Sequence, residues 1–323
     1  MLRWFARPEP VRAGKAELHE GIYPKTGIGS MKKSKRFLGY TIYFICITAV
    51  LLYCLFPSDA VVDYLQVKAQ SFNPSLSISI DRIKPWPLLK LRFTNVQVLH
   101  RDQPETKLFE AETLVVRPHV GSFLKGTRSC NFGCTAYGGA IKGKASLNGS
   151  AANPLNAEVE LEAIRIGEYK DLRDLIGRSV DGVLSGTVSY AGPGQEVLNG
   201  AGEANFRLVD GRIELLSPLL TLESIEYSEV TIAMVLNRKR INLTRANLEG
   251  PMLKGTVSGI IRLKEELEKS NLDLKGRIEP FPGLFEQTEG AQSVAKFFRG
   301  RLRQGALPFR IRGTVARPRI TFI

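Results

Sequence analysis

From Leu76 onward, apolar and polar residues alternate along the chain with a period of two. Leu76, Ile78 and Ile80 alternate with Ser77 and Ser79, and Leu89, Leu91 and Phe93 with Lys90 and Arg92. Ala157, Val159, Leu161 and Ala163 alternate with Glu158, Glu160 and Glu162; Leu272, Leu274 and Ile278 alternate with Asp273, Lys275, Arg277 and Glu279. Successive side chains of a strand point to opposite faces, so the pattern predicts strands with one apolar face and one wet face. At Asn95 the phase slips to Val96 and Val98, which predicts a bulge or kink. Turn sequences punctuate the strands. Asp210-Gly211 predicts a hairpin between residues 206–209 and 212–215. Residues 237–240 join 231–236 to 241–243, and the polar loop 264–270 joins 256–263 to 271–278. These segments predict consecutive antiparallel strands in meander order, roughly 14 of them, from about Leu76 to Phe322.

Helical periodicity is scarce. Leu172, Leu175 and Ile176 share one face of a helix over 169–176, and Val294, Phe297 and Phe298 share one over 292–298. Both are predicted as short helices that plug or cap the sheet. Glycines four apart recur in three strands, at Gly139/Gly143, Gly182/Gly186 and Gly255/Gly259. A strand glycine marks a bend or a close backbone approach, as a curved sheet of repeated hairpins would use it.

One stretch departs from alternation. Phe37 to Phe56 is 20 residues without a charge. As a helix it is about 30 Å long, the thickness of a bilayer core. Tyr40, Tyr43 and Tyr53 lie towards its ends, where amphipathic rings suit the interface. Residues 1–36 hold nine Lys or Arg against three Glu, with Lys32, Lys33, Lys35 and Arg36 abutting the run. Those four bases are read as setting the topology, with the N-terminus cytoplasmic and the rest outside. The organisation expected is a basic tail over 1–36, a transmembrane helix over 37–57 and a β-rich outer domain over 58–323. A cleavable signal peptide would have a shorter apolar core and a small-x-small exit, whereas this run exits as CLFPSDA. MKKSKRFLGY at Met31 reads as the true start of a membrane anchor, which would make residues 1–30 an untranslated gene-model extension; otherwise they are a disordered basic tail.

The net charge is +13, of which the tail supplies +6 and the outer part a dispersed +7. The tail charge is read as a topology signal, and no nucleic-acid-binding motif appears. Active-site constellations are missing from the sequence. There is no phosphate loop, no G-x-S-x-G elbow and no H-E-x-x-H. No catalytic residue, cofactor or metal ligand is therefore expected. Cys130 and Cys134, in CNFGC, are the cysteines outside the span. A disulfide across them, two free thiols, and half of a zinc site are the readings left open; the last needs two further ligands.

The basic N-terminus, one span and amphipathic strands such as LSISIDRI and LKLRFTNVQVL resemble the AsmA-like superfamily of periplasmic β-proteins. So do Tyr137 to Gly143 (YGGAIKG), Asn247 to Leu263, and the closing PFRIRGTVARPRITF. Length and layout, with 169–192 as a helical insertion, look most like GspN, the N component of the type II secretion system. The resemblance covers roughly residues 31–323. It implies a mainly β fold, a curved antiparallel or sandwich-like sheet behind one membrane helix. It further implies a non-enzymatic accessory subunit in the bacterial inner membrane, its domain in the periplasm, contacting other secretion subunits. Larger members of the superfamily suggest the alternative, an apolar sheet face that shields acyl chains for lipid transfer or envelope homeostasis. Leu91, Phe93, Val159, Leu161, Leu272 and Leu274 are the positions expected to line such a groove, or to fill a closed core. A continuous trough through Leu91, Val159 and Leu274 would favour lipid, and a filled core would favour a scaffold.

Overall fold

The computed structural model describes residues 30–72, 76–86, 90–101, 103–123, 126–148, 154–173, 177–194, 196–219, 222–281, 302 and 304–323. The chain divides into two compact units, Met1–Leu55 and Phe56–Ile323.

The first unit contains helix α1, Ser30–Cys54, 25 residues long. Thr41 and Thr48 hydroxyls donate back to the carbonyls of Phe37 and Phe44, which satisfies them without a polar face. Phe37, Tyr43 and Phe44 are 75%, 66% and 70% exposed. Over the described residues alone, no helix is long and apolar enough to cross a membrane. The side chains of residues 31–36, 49 and 52 lie outside that description, including the four topology-setting bases Lys32, Lys33, Lys35 and Arg36.

The second unit opens with α2, Ser58–Phe72, which the strand periodicity did not anticipate. Pro57 cannot continue α1, and Ser58 and Asp59 supply polar groups to a new helix start. Val61, Val62 and Leu65 form its inward face and Asp59, Asp63 and Lys68 its outward one.

Fourteen strands follow: β1 Leu76–Trp86, β2 Lys90–His100, β3 Gln103–Pro118, β4 Thr127–Ala136, β5 Gly139–Asn148, β6 Pro154–Arg165, β7 Val180–Pro193, β8 Ala201–Leu219, β9 Leu222–Asn237, β10 Arg240–Glu249, β11 Leu253–Arg262, β12 Asn271–Pro280, β13 Leu307–Thr314 and β14 Pro318–Phe322. They form one sheet in sequence order, each antiparallel to the next. The protein is mainly β, with a single open sheet and no second sheet facing it among the described residues. A short helix α3, Val120–Phe123, and 3-10 turns at Ile166–Glu168, Val197–Asn199 and Leu267–Lys269 decorate the connections.

Several sequence expectations change in detail. Asp210-Gly211 is not a hairpin, because β8 runs straight through it. Asp210 takes a left-handed conformation (φ 52°) at a bulge against β7. Ala163 leaves the alternation of β6 in the same way (φ 53°), so Ile164 rather than Ala163 continues the apolar face. Asn95 (φ 52°) does mark an irregularity, opposite Asp81, and its amide donates to the Asp81 carboxylate at 2.8 Å. The turn at 237–240 is a tight hairpin with Arg238 and Lys239 both left-handed (φ 45° and 60°). The helix expected over 169–176 begins only at Leu172, and residues 174–176 lie outside the described set, as does 292–298.

Candidate functional site: the apolar face of the sheet

Register decides which side chains share a face. Paired residues of an antiparallel sheet point the same way, so the pairs can be followed from strand to strand. One row runs from Ile83 through Phe93, Leu114, Cys134, Ile141, Leu161, Gly186, Phe206, Ile232, Ala246, Val257, Gly276 and Phe309 to Phe322. The next runs from Pro85 through Leu91, Val116, Phe132, Gly143, Val159, Val188, Ala204, Met234, Leu243, Gly259, Leu274 and Ile311 to Ile320. A third runs from Pro118 through Cys130, Ala145, Ala157, Tyr190, Gly202, Leu236, Ile241, Ile261, Leu272 and Gly313 to Pro318. A fourth, on the other side, joins Ile164, Leu184, Leu208, Val230, Leu248, Gly255, Ile278 and Leu307. None of these positions is charged. The face is apolar from first strand to last, about 60 Å across thirteen strand spacings and about 20 Å along the strands.

The residues singled out in the sequence fall into this array. Leu91, Val159 and Leu274 lie in one row, Phe93 and Leu161 in the adjacent row, and Leu272 in the third. Phe93 and Leu274 are buried; the other four keep partial exposure. What the sequence could not give was the register that brings Phe132, Val188, Phe206 and Met234 onto the same face. Asp81, Asn95 and Glu112 drop out of the pairing in line across β1–β3 without a shift of register, and Ile80 packs with Ile83, Phe93, Val96 and Leu114 on one side.

Coverage of the face is uneven. At the β1 margin α2 lays Val61, Val62 and Leu65, with Phe56, against Ile83, Phe93 and Val96. Over β3–β5, Tyr169 reaches back from the β6–β7 connection, donating to the carbonyl of Leu108 at 2.7 Å. Its ring stacks on Tyr137, 5.0 Å between centroids, and Tyr137 meets Phe109 edge-on at 6.2 Å. The Tyr137 oxygen accepts the Glu110 N–H at 2.8 Å, and burial pushes its phenol up to about 12. Tyr227, 3% exposed, packs with Leu208 and Val230, donates to the Asp181 carbonyl at 2.5 Å and is likewise pushed up to about 12 by burial. At the far end Leu253, Leu307 and Phe309 are buried. Between these ends the middle strands keep their apolar residues partly open, Ile141, Val159, Val188 and Ile232 among them.

The opposite face is polar and ion-paired. Lys144 meets Glu158 at 2.9 Å, Lys142 meets Glu162 at 2.6 Å, and Arg207 makes two 3.0 Å bonds to Glu229. These are exposed pairs, screened by water and salt, and they add little to stability. An open concavity of about 800 Å³ is lined mainly by this face, through Arg117, Asn131, Lys142, Lys144, Glu158, Glu160, Thr187, Ser189, Glu203 and Asn205. A second, about 770 Å³, continues it with Ser129, Ser146, Asn156 and Asn237. The charge changes along the sheet. Over β5 and β6 this face holds Lys142 and Lys144 against Glu158, Glu160 and Glu162. Over β10–β14 it holds nine bases, Arg240, Arg245, Lys254, Arg262, Lys275, Arg277, Arg310, Arg312 and Arg319, against three acids, Glu249, Asp273 and Glu279, a net +6. Arg310 donates twice to Asp273 (2.7 and 3.0 Å), which with Arg312 and Arg262 nearby holds that carboxyl below its usual value.

Cys130 and Cys134 do not form a disulfide; both thiols are free. They sit four residues apart on one strand, facing the same side, opposite Ala145 and Ile141. Four strand residues span about 13 Å, roughly twice the Cα separation that a bridge allows. Burial raises both thiol pKa values, which leaves them protonated packing groups of the apolar face. Among the described residues no group of three or more His, Cys, Asp or Glu could hold a metal ion.

No protein-family model, curated protein or solved structure matches this chain.

Proposed function

We propose that the protein is a non-enzymatic, membrane-anchored periplasmic carrier that holds acyl chains on the apolar face of its sheet. One observation carries this reading: two uncharged rows cross all fourteen strands, two more run beside them over most of the sheet, and among the described residues no second layer covers the middle strands. A sheet face of that composition in water calls for a partner that is itself apolar. Each methylene laid fully against it gains up to about 0.8 kcal/mol, so one long acyl chain suffices for stable holding. The 20-residue uncharged run Phe37–Phe56, which α1 takes up as far as Cys54, supports anchorage by one span, with Lys32, Lys33, Lys35 and Arg36 keeping the N-terminus cytoplasmic in a bacterial inner membrane. The concavities on the polar face mix uncharged residues with the Lys144–Glu158 ion pair and lack the unbroken apolar rows of the opposite side.

The test is a Val159→Asp substitution in the middle of the open rows, with Glu160→Gln on the opposite face as control. Mass spectrometry of lipids that co-purify, and displacement of a fluorescent fatty acid, should show acyl ligand on the parent and the control and at least tenfold less on V159D, since the charge must be desolvated beneath the chain. A parent protein that binds no acyl probe would sink the proposal.

A second reading, an accessory subunit of a type II secretion system as the GspN resemblance implies, is favoured by the outer edge of the sheet. β14 has five residues and, among the described strands, pairs with β13 alone, with Ile320 59% exposed, so a strand of another subunit could pair there. A deletion strain separates the two. Loss of exported proteins with an intact lipid barrier supports the secretion subunit; normal export with detergent sensitivity supports the carrier.

A further inference from the structure

The last five strands differ between their two faces in charge as well as in hydropathy, and the net +6 of the polar side stands out from the net −1 of β5 and β6. We propose that the polar face of β10–β14 docks onto an anionic lipid surface. Seven of its nine bases are arginine, whose planar guanidinium matches phosphate oxygens in pairs, where lysine offers a point charge. Eight of the nine are exposed; Arg310, tied to Asp273, is the exception. The bases follow the sheet lattice, about 4.8 Å between strands and about 6.7 Å between same-face residues, so they form a broad array and not a pocket. An array of that kind suits a surface of many phosphates better than one small anion. Single-stranded nucleic acid would call for aromatic rings between the bases for stacking; the strand residues interleaved on this face are Asn242, Thr256, Ser258, Ile260, Asn271 and Thr321, and the one ring near a base, Phe281 beside Lys254, lies past the end of β12. An acidic protein is less well matched, because the charges lie in a regular plane with one apolar side chain, Ile260, among them. The neighbouring loops do not reverse the sign: Arg238, Lys239, Lys264, Lys269 and Arg317 face Glu265, Glu266 and Glu268.

The inference does not rest on what the opposite face holds, and vesicle capture is scored without reference to acyl loading. The full chain, held in phosphatidylcholine nanodiscs, is offered phosphatidylcholine vesicles with or without phosphatidylglycerol. Capture of the phosphatidylglycerol vesicles is expected, weakening steeply with added salt. Each base at an anionic leaflet is worth about fivefold, so the combined R245Q, K275Q and R319Q variant should bind about a hundredfold more weakly, while Lys142→Gln on β5 changes nothing. If the triple variant melts at a lower temperature than the parent, Lys275→Gln and Arg319→Gln are measured singly, each with the fivefold loss expected. Equal capture of neutral vesicles, an unchanged triple variant, or binding of polyglutamate without vesicle capture would each overturn the proposal.

Discussion

Phe132 lies across the backbone of Gly143, its neighbour in the same row, so the ring occupies the space a side chain would take. A Cβ at Gly143 would meet the Phe132 ring at 2.5 Å and the Glu158 carbonyl at 2.6 Å. The glycine was visible in the sequence as one of a spaced set; the ring it accommodates belongs to another strand and was not. Gly143→Val should cost about 1–3 kcal/mol through overpacking, read as a fall in the urea midpoint. The buried phenols give a second expectation at this scale. Tyr137 and Tyr227 ionise at about 12 when folded, against about 10 in an unfolded chain. Their contribution to stability is complete below about pH 10 and is lost as pH rises from there towards 12. Phenolate absorbance followed beside the unfolding midpoint should show two late-titrating tyrosines and stability falling in that window.

Among the elements, strands with strict alternation were legible and their interruptions only partly so. Asn95 announced its slip because apolar residues resume out of phase on both sides of it. Asp210-Gly211 has the composition of a hairpin turn, yet β9 pairs with β8 on both sides of it, through Leu208 and through Ile213, and this long-range pairing turns the dipeptide into a bulge. Ala163 is small and apolar, so its departure from the face left no mark in the pattern. Helix α2 was hidden because its apolar face is only a few residues long and follows directly on a longer apolar run. The β9–β10 hairpin offers a test of turn chemistry. Arg238 and Lys239 both hold left-handed backbone that Asn-Gly adopts with less strain. The double substitution R238N, K239G should stabilise the fold by about 0.5–1 kcal/mol, seen as a raised urea midpoint with unchanged slope.

At the scale of the whole second unit, the alternation established that one side would be apolar, and register established that this side is continuous. The six groove positions read from the sequence lie in three adjacent rows, but whether a second layer would close over them depended on pairing between distant segments, which periodicity does not encode. The charge asymmetry of β10–β14 was equally hidden, since its nine bases are dispersed along some eighty residues and gather only when the strands stand side by side. The strict order β1 to β14 has one more consequence. Every strand finds its partner in the strand just made, so the contact order is low and no segment must wait for a distant one. Such a chain can fold vectorially, each hairpin adding to the growing edge as it emerges, in the manner of a repeat array. A chain truncated after any hairpin from β8 onward should then leave a shorter ordered sheet whose newly exposed last strand, and not its interior, is the part prone to associate.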